Sequence, residues 1–309
     1  MPMPPNWPHR SLHARVIETL GSVPFHFESD TEIEGISATD IFTLNTALGA
    51  TIEEQVVAAL NKQRKQWDPD GQYSQYGFVR QTQCFPDVLL RKRTLGCNDD
   101  LPLMGIELKG WYLLSKEGEP SSRFRVTPSA CAPADLLVVI PWVLKNVLSG
   151  RPKVFTPFVT QAAHAAQMRN YYWAHARATE DSRDVVPPAG AVNPYPRKRD
   201  KIADRALSDA GGNFGRFSRA GIMDDYLAAM LQERVCGIPA KAWLEYFKVF
   251  TDTASQTELP ERINRLRRSF ADVAATEPPE SLSAFAEIVG IIEASLGVNE
   301  RPGRNSRGA

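Results

Sequence analysis

Phe85-Pro86-Asp87 is followed by Ile106-Glu107-Leu108-Lys109, with Glu107 twenty positions after the aspartate. Each piece lies in a short apolar run, Phe85 to Leu90 and Leu103 to Tyr112, bounded by polar residues, Gly or Pro. Runs of this kind predict buried strands. A charge buried in a strand is costly unless it is paired or binds a metal. Residues at i and i+2 of a strand share a face, so Glu107 and Lys109 point the same way, and an aspartate from a neighbouring strand can join them. Two carboxylates and an ammonium on one sheet face could hold a divalent cation and a phosphodiester.

Phosphodiester hydrolysis needs a metal to polarise the phosphate and acidify a water, carboxylates to hold that metal, and a cation to orient the nucleophile or stabilise developing charge. Asp87 and Glu107 supply metal ligands, the Leu108 carbonyl a third, and Lys109 the contact to water and scissile phosphate. A general-base role for Lys109 stays open, because metal charge and burial move a lysine pKa. Upstream, Ile52, Val56 and Leu60 recur at helical spacing within 41–66. Glu53 falls inside that apolar stripe and Glu54 outside it, which makes Glu53 the natural extra carboxylate. The alternative for the motif is a same-face ion pair between Glu107 and Lys109 on a half-exposed strand, with Asp87 as its neighbour.

Pro86-Asp87, then Glu107-Leu108-Lys109, resembles the PD-(D/E)XK nuclease signature. The order of a helix with Glu, a strand with Asp, a strand with Glu-x-Lys and further strands and a helix is similar to that fold's core over roughly residues 45–180. Within the superfamily the chain looks most like a type II restriction endonuclease. The resemblance implies an α/β fold with a mixed central β-sheet flanked by helices, and a Mg²⁺-dependent, site-specific deoxyribonuclease that cuts double-stranded DNA to leave 5′-phosphates. It implies catalytic Asp87, Glu107 and Lys109, and metal ligands Asp87, Glu107, the Leu108 carbonyl and, less directly, Glu53. A homodimer cutting both strands of a palindromic site follows by family analogy. A repair or structure-specific nuclease of the same superfamily, and a non-catalytic DNA-binding module on a nuclease-like scaffold, are the competing expectations.

The elements that must position these groups are readable in outline. The predicted organisation is an N-terminal region (1–44), the nuclease core (45–180), a linker and loop region (181–219), a helical C-terminal region (220–300) and a disordered tail (301–309). Strands are expected at Gln72 to Thr82, in the two motif runs (joined as a hairpin), at Asp135 to Leu144 and at Lys153 to Thr160. Gln161 to Ala178 reads as a helix, and the C-terminal helices as 220–233, 240–253, 259–274 and 280–295. Candidate DNA contacts are Arg123 and Arg125 soon after the catalytic strand, the run Arg197-Lys198-Arg199 with Lys201, and Arg216 in a Gly-rich loop. Each has a plain reading beside it: an exposed polar loop, a solvated linker and a structural turn. Tyr73 and Tyr76 suit packing better than base contact, and His164 and His175 read as ordinary helix residues.

Composition bounds these readings. The chain has 309 residues, 43% hydrophobic and 23% charged, with 36 basic and 36 acidic side chains. This is the profile of a soluble globular protein with ample core. Zero net charge excludes an overall basic coating but leaves room for a local phosphate-binding patch. Cys84, Cys97, Cys131 and Cys236 form no CxxC pair, which argues against a zinc knuckle and fits reduced thiols. No signal-like segment opens the chain, and the apolar stretch at Leu136 to Leu144 is too short to span a bilayer. A cytoplasmic protein with no membrane partner is expected.

Overall fold

The computed structural model describes residues 3–36, 41–81, 83–93, 101–177, 184–190 and 193–251. The expected helices at 259–274 and 280–295 and the tail at 301–309 lie outside the described residues, as does Cys97.

Helices α1 (Arg10–Gly21) and α2 (Val23–His26) lead into the long α3 (Leu44–Lys62) and one further turn, α4 (Arg64–Trp67). The expected 41–66 helix is thus broken near Gln63. There the Trp67 indole N–H returns to the Leu60 carbonyl at 2.9 Å and Arg15 caps the Trp67 carbonyl at 3.1 Å. Ile52, Val56 and Leu60 are all fully buried, as their spacing predicts.

The sheet has the order β1-β2-β3-β4-β5, with β6 also on β4. Strands β1 (Tyr76–Arg80), β2 (Val88–Lys92) and β3 (Met104–Tyr112) form an antiparallel meander, so the expected hairpin is present. Strand β4 (Leu136–Leu144) runs parallel to β3 after a crossover, and all nine of its residues are buried. A central strand covered on both faces reads as an unbroken apolar run. The molecule is therefore an α/β protein with a mixed sheet flanked by helices.

Some boundaries differ from expectation. Tyr73 precedes the first strand; its N–H is capped by Asp68 at 3.0 Å and its hydroxyl meets His9 at 2.9 Å. The run expected as one strand at 153–160 is two, β5 (Pro152–Val154) and β6 (Phe158–Gln161), laid end to end along β4. Pro157 sits in the break, where it has no N–H to offer a ladder. Helix α5 (Ala162–Tyr171) ends in a wider turn at Tyr172–Ala176. Two short strand pairs follow, β7 (Val185–Val186) with β8 (Arg205–Ala206) and β9 (Arg234–Val235) with β10 (Ile238–Pro239). Helices α6 (Asp224–Met230) and α7 (Ala240–Thr251) stand where helices were expected.

Residues 202–217, placed by sequence in a linker and loop region, are docked rather than free. They run beside 123–127 through Phe124 N–H to Gly215, Thr127 N–H to Ile202 and Asp204 N–H to Arg125, all at 2.7–2.8 Å. Beneath them Arg169 of α5 pairs with Asp204 at 2.5 Å, both side chains almost fully buried, and also donates to the Phe124 and Val126 carbonyls. The buried polar groups of this segment are paired, while Arg205, Leu207 and Ser208 stay exposed. No helix among the described residues is long and apolar enough to cross a membrane.

Candidate active site

The sheet itself makes the site. The β2–β3 ladder ends at the pair Val88↔Ile106, while β3 continues to Tyr112. Past Ile106 the β2-side edge of β3 is therefore open, and Asp87, one residue before β2, sits at the mouth of this notch. The Asp87 carboxylate accepts the Leu108 N–H at 2.9 Å, doing the work of the missing ladder partner. A strand residue sends its N–H and C=O to the same side, so the Leu108 carbonyl also faces the notch.

A Cβ on Gly110 would lie 3.7 Å from Gly49 of α3, so Ile106, Leu108 and Gly110 face that helix. Alternation then puts Gly105, Glu107 and Lys109 on the opposite face. A Cβ on Gly105 would meet Pro86 at 2.3 Å and Asp135 at 2.9 Å. Glycine at this position lets Pro86 lie flat on β3, which sets where Asp87 points. Gln81 closes the loop from the other side: its N–H bonds the Asp87 carbonyl at 2.7 Å and its amide the Pro86 carbonyl at 2.9 Å.

The expected same-face pair is present. Lys109 Nζ lies 2.6 Å from Glu107 Oε1 and 3.8 Å from Asp87 Oδ2. The other Glu107 oxygen, Oε2, is buried and accepts no hydrogen bond from a described donor, and the Asp87 carboxylate lies within hydrogen-bonding reach of the Glu107 carboxyl. Burial pushes the Glu107 carboxyl up to about 7; the Lys109 ammonium opposes this and the Asp87 charge adds to it. For Lys109, burial favours the neutral amine, but the Glu107 and Asp87 charges outweigh it and raise its pKa. Lys109 is thus an ammonium at neutral pH in the metal-free protein, poised to donate hydrogen bonds rather than to accept a proton.

Glu53 is the half-buried member of its pair, 23% exposed against 71% for Glu54, as the helical wheel predicts. Burial, then the Asp87 charge, raises its carboxyl to about 7, against Lys109 and Arg80. Arg80 at the end of β1 reaches both glutamates, at 3.9 Å and 3.6 Å. Among the described residues no group of three or more His, Cys, Asp and Glu forms a cage able to hold a metal ion. The donors that face the notch are Asp87, Glu107 and the Leu108 carbonyl, with Glu53 held back by Arg80. Such a set suits Mg²⁺, which takes one or two carboxylates and keeps several waters. Burial, then the Asp87 charge, raises both the Glu53 and the Glu107 carboxyls, so two carboxyls and Asp87 crowd one partly buried place.

The sequence-predicted cations fall into distinct roles. Arg125 is held by Asp209 at 2.6 Å and also donates to the Phe214 carbonyl. Lys198 donates to Gln83 at 2.7 Å, in the loop that leads to Asp87. Arg123 is exposed and packs its guanidinium over Gly212, where a Cβ would fall 2.5 Å from it. Arg216 is half-buried with its Nε unpartnered. Arg197, Arg199 and Lys201 are exposed and line a polar concavity with Asn193, Tyr195 and Asp200. His164 and His175 are exposed helix residues, and Cys84, Cys131 and Cys236 are free thiols.

Sequence reasoning missed several supporting residues. Asp135, fully buried, accepts N–H groups from Gly105 at 2.6 Å and Ala132 at 2.7 Å and the Tyr195 hydroxyl at 3.3 Å. A lone acid opening an apolar strand was its signal. Arg80 and Gln81 carried no motif, and the Arg169–Asp204 pair spans 35 residues, beyond the reach of any local pattern.

Comparisons with family models, with curated proteins and with solved structures find no match. The family resemblance therefore rests on Asp87, Glu107, Lys109 and the strands that carry them.

Proposed function

We propose that the protein is a Mg²⁺-dependent endonuclease that hydrolyses phosphodiester bonds of double-stranded DNA at specific sites, in the manner of a type II restriction enzyme. One observation carries this reading: Asp87, Glu107 and Lys109 converge where the β2–β3 ladder ends, with one Glu107 oxygen buried and accepting no hydrogen bond from a described donor.

Asp87, Glu107 and the Leu108 carbonyl would hold the metal, with Glu53 as a further carboxylate. Bound there, Mg²⁺ supplies charge to polarise the phosphate and to acidify a water. The chain's own residues do the rest. Gly105, Pro86 and Gln81 fix the direction of Asp87. Lys109, an ammonium fixed at its neck by β3, donates toward the attacking water and the phosphate oxygens where negative charge grows. Arg80 keeps Glu53 at the rim. The nucleophile is a water, the bond broken is that between phosphorus and the 3′ oxygen, and the products carry a 5′-phosphate and a 3′-hydroxyl. Two copies of the chain, each cutting one strand, match a palindromic site.

Purified protein and unmethylated phage DNA, with Mg²⁺ or with EDTA, test the proposal. Discrete fragments that need Mg²⁺ and vanish in Asp87→Asn support it. A smear points instead to a nonspecific or structure-directed nuclease. A second reading is favoured by the 2.6 Å Lys109–Glu107 pair and by the lack of a closed cage among the described residues: a DNA-binding module in which the cluster only holds the strand end. Site-specific binding with no cleavage on any duplex, modified DNA included, selects that reading.

A further inference from the structure

Residues 193–201 form an arm beside the notch, and two bonds pin it. The Tyr195 hydroxyl donates to Asp135 Oδ1 at 3.3 Å, and that same oxygen accepts the Gly105 N–H at 2.6 Å, two residues before Glu107. Lys198 Nζ donates to Gln83 at 2.7 Å, four residues before Asp87. The arm is thus tied to both segments that carry the candidate metal ligands. Between the pins the chain turns tightly, with the Arg197 N–H on Asp200 Oδ2 at 2.6 Å and the Asp200 N–H on the Arg197 carbonyl at 2.8 Å.

This turn lines an open polar cavity of about 500 Å³, together with Asn193, Tyr195, Arg199 and Lys201 among others. Three cations line it against one carboxylate, and Asp200 already accepts the Arg197 N–H. Arg197, Arg199 and Lys201 make no side-chain ion pair with any other described residue. Cations with no ion-pair partner among the described residues, set around a concave polar surface, suit a phosphate, which guanidinium and ammonium groups bind well.

We propose that this cavity seats a backbone phosphate of the DNA beside the scissile bond, held by Arg199 and Lys201, while Lys198 and Tyr195 act as positioning residues that pin the arm. This rests on the nuclease reading above and adds where the flanking phosphate is gripped. A phosphate fixed against both catalytic segments would set the register of the scissile bond over the notch.

The test uses the full chain, a duplex that the wild type cuts, and binding measured in Ca²⁺ over roughly 50–200 mM salt. Removing one phosphate interaction reduces the slope of log K against log salt by about 0.9. Arg199→Ala/Lys201→Ala should flatten the slope by about 2 and lower single-turnover cleavage at sub-saturating protein in excess over DNA. Lys198→Met should change the slope much less than the double variant, because Lys198 reaches Gln83 and does not line the cavity, while cleavage loses positional fidelity. An unchanged slope in the double variant, whose fold is verified by circular dichroism, overturns the proposal, as does a Lys198→Met slope as flat as that of the double variant. Saturable thermal stabilisation by inorganic phosphate, lost in the double variant while the DNA salt slope stays fixed, would make this a free-anion site and also overturns it. A wild type that binds and cuts while these outcomes fail leaves the nuclease reading standing; a wild type that neither binds nor cuts any duplex sinks both.

Discussion

Lys109→Met removes the ammonium at the centre of the site and keeps most of the side chain's volume. Lys109 Nζ stands 2.6 Å from Glu107 and 3.8 Å from Asp87. At an effective dielectric of about 20 those separations correspond to gross attractions of ~6 and ~4 kcal/mol, most of it offset by desolvation. What remains on truncation is the cost of leaving a buried carboxylate unpaired, about 3–5 kcal/mol. In EDTA, urea denaturation of Lys109→Met should therefore show a loss of that order. A divalent cation held by Asp87 and Glu107 takes over the ammonium's electrostatic role, so saturating Mg²⁺ or Ca²⁺ should restore about 2–3 kcal/mol, the linkage expected near one hundred times Kd. The wild type, where Lys109 already neutralises the carboxylates, should gain less. Glu107→Gln/Lys109→Met should be less unstable in EDTA than Lys109→Met alone and should gain little from metal. Cleavage by Lys109→Met should fall by about 10²–10³ even with metal bound, since the donor at the developing charge is gone. If metal stabilises Lys109→Met no more than the wild type, the carboxylates do not form a cation site and the electrostatic reasoning is refuted.

Gly105→Ala should shift Pro86 and Asp87, because its Cβ would fall 2.3 Å from Pro86; cleavage should drop at least tenfold with a stability loss of about 1–3 kcal/mol in urea melts. Asp135 has its carboxyl raised by burial from 3.8 to about 6, against the Ala132 and Gly105 N–H groups and the Tyr195 hydroxyl. A carboxyl raised on folding contributes stability that is full below its unfolded pKa and is lost as pH rises through the folded one. Wild type relative to Asp135→Asn should thus lose about 1 kcal/mol between pH 5 and pH 7, and parallel pH profiles would contradict this. Asp204→Asn leaves Arg169 buried beside a neutral partner, so stability should fall by about 3–5 kcal/mol, with protease sensitivity rising at 123–127 and 202–206. Arg169→Met/Asp204→Leu should recover much of that loss if the pair matters only as charge.

Local periodicity along the chain accounts for part of the fold and of the site. Alternation places Glu107 and Lys109 on one face, and they meet at 2.6 Å. The helical stripe of Ile52, Val56 and Leu60 orders Glu53 inward and Glu54 outward. The long apolar run at Leu136 to Leu144 is a central strand, and its cover on both faces is why nine consecutive side chains are apolar. The break at Pro157 was written in the chain as well, in a residue with no N–H, yet the run around it read as continuous.

Long-range packing settled what depends on groups far apart in sequence. The notch exists because β2 stops pairing at Ile106 while β3 goes on, and no pattern within either strand says where its neighbour ends. Whether a cation is free or engaged is equally non-local. Arg125 and Lys198 look like Arg199 and Lys201 in sequence, but Asp209 lies 84 residues from Arg125 and Gln83 115 residues from Lys198. The buried Asp135 finds its hydrogen-bond donors on β3 and on the 193–201 arm, and Arg169 its counter-charge on the docked 202–217 segment. A buried charge is tolerated only when the fold delivers its counterpart, and that delivery is set by packing rather than by spacing along the chain.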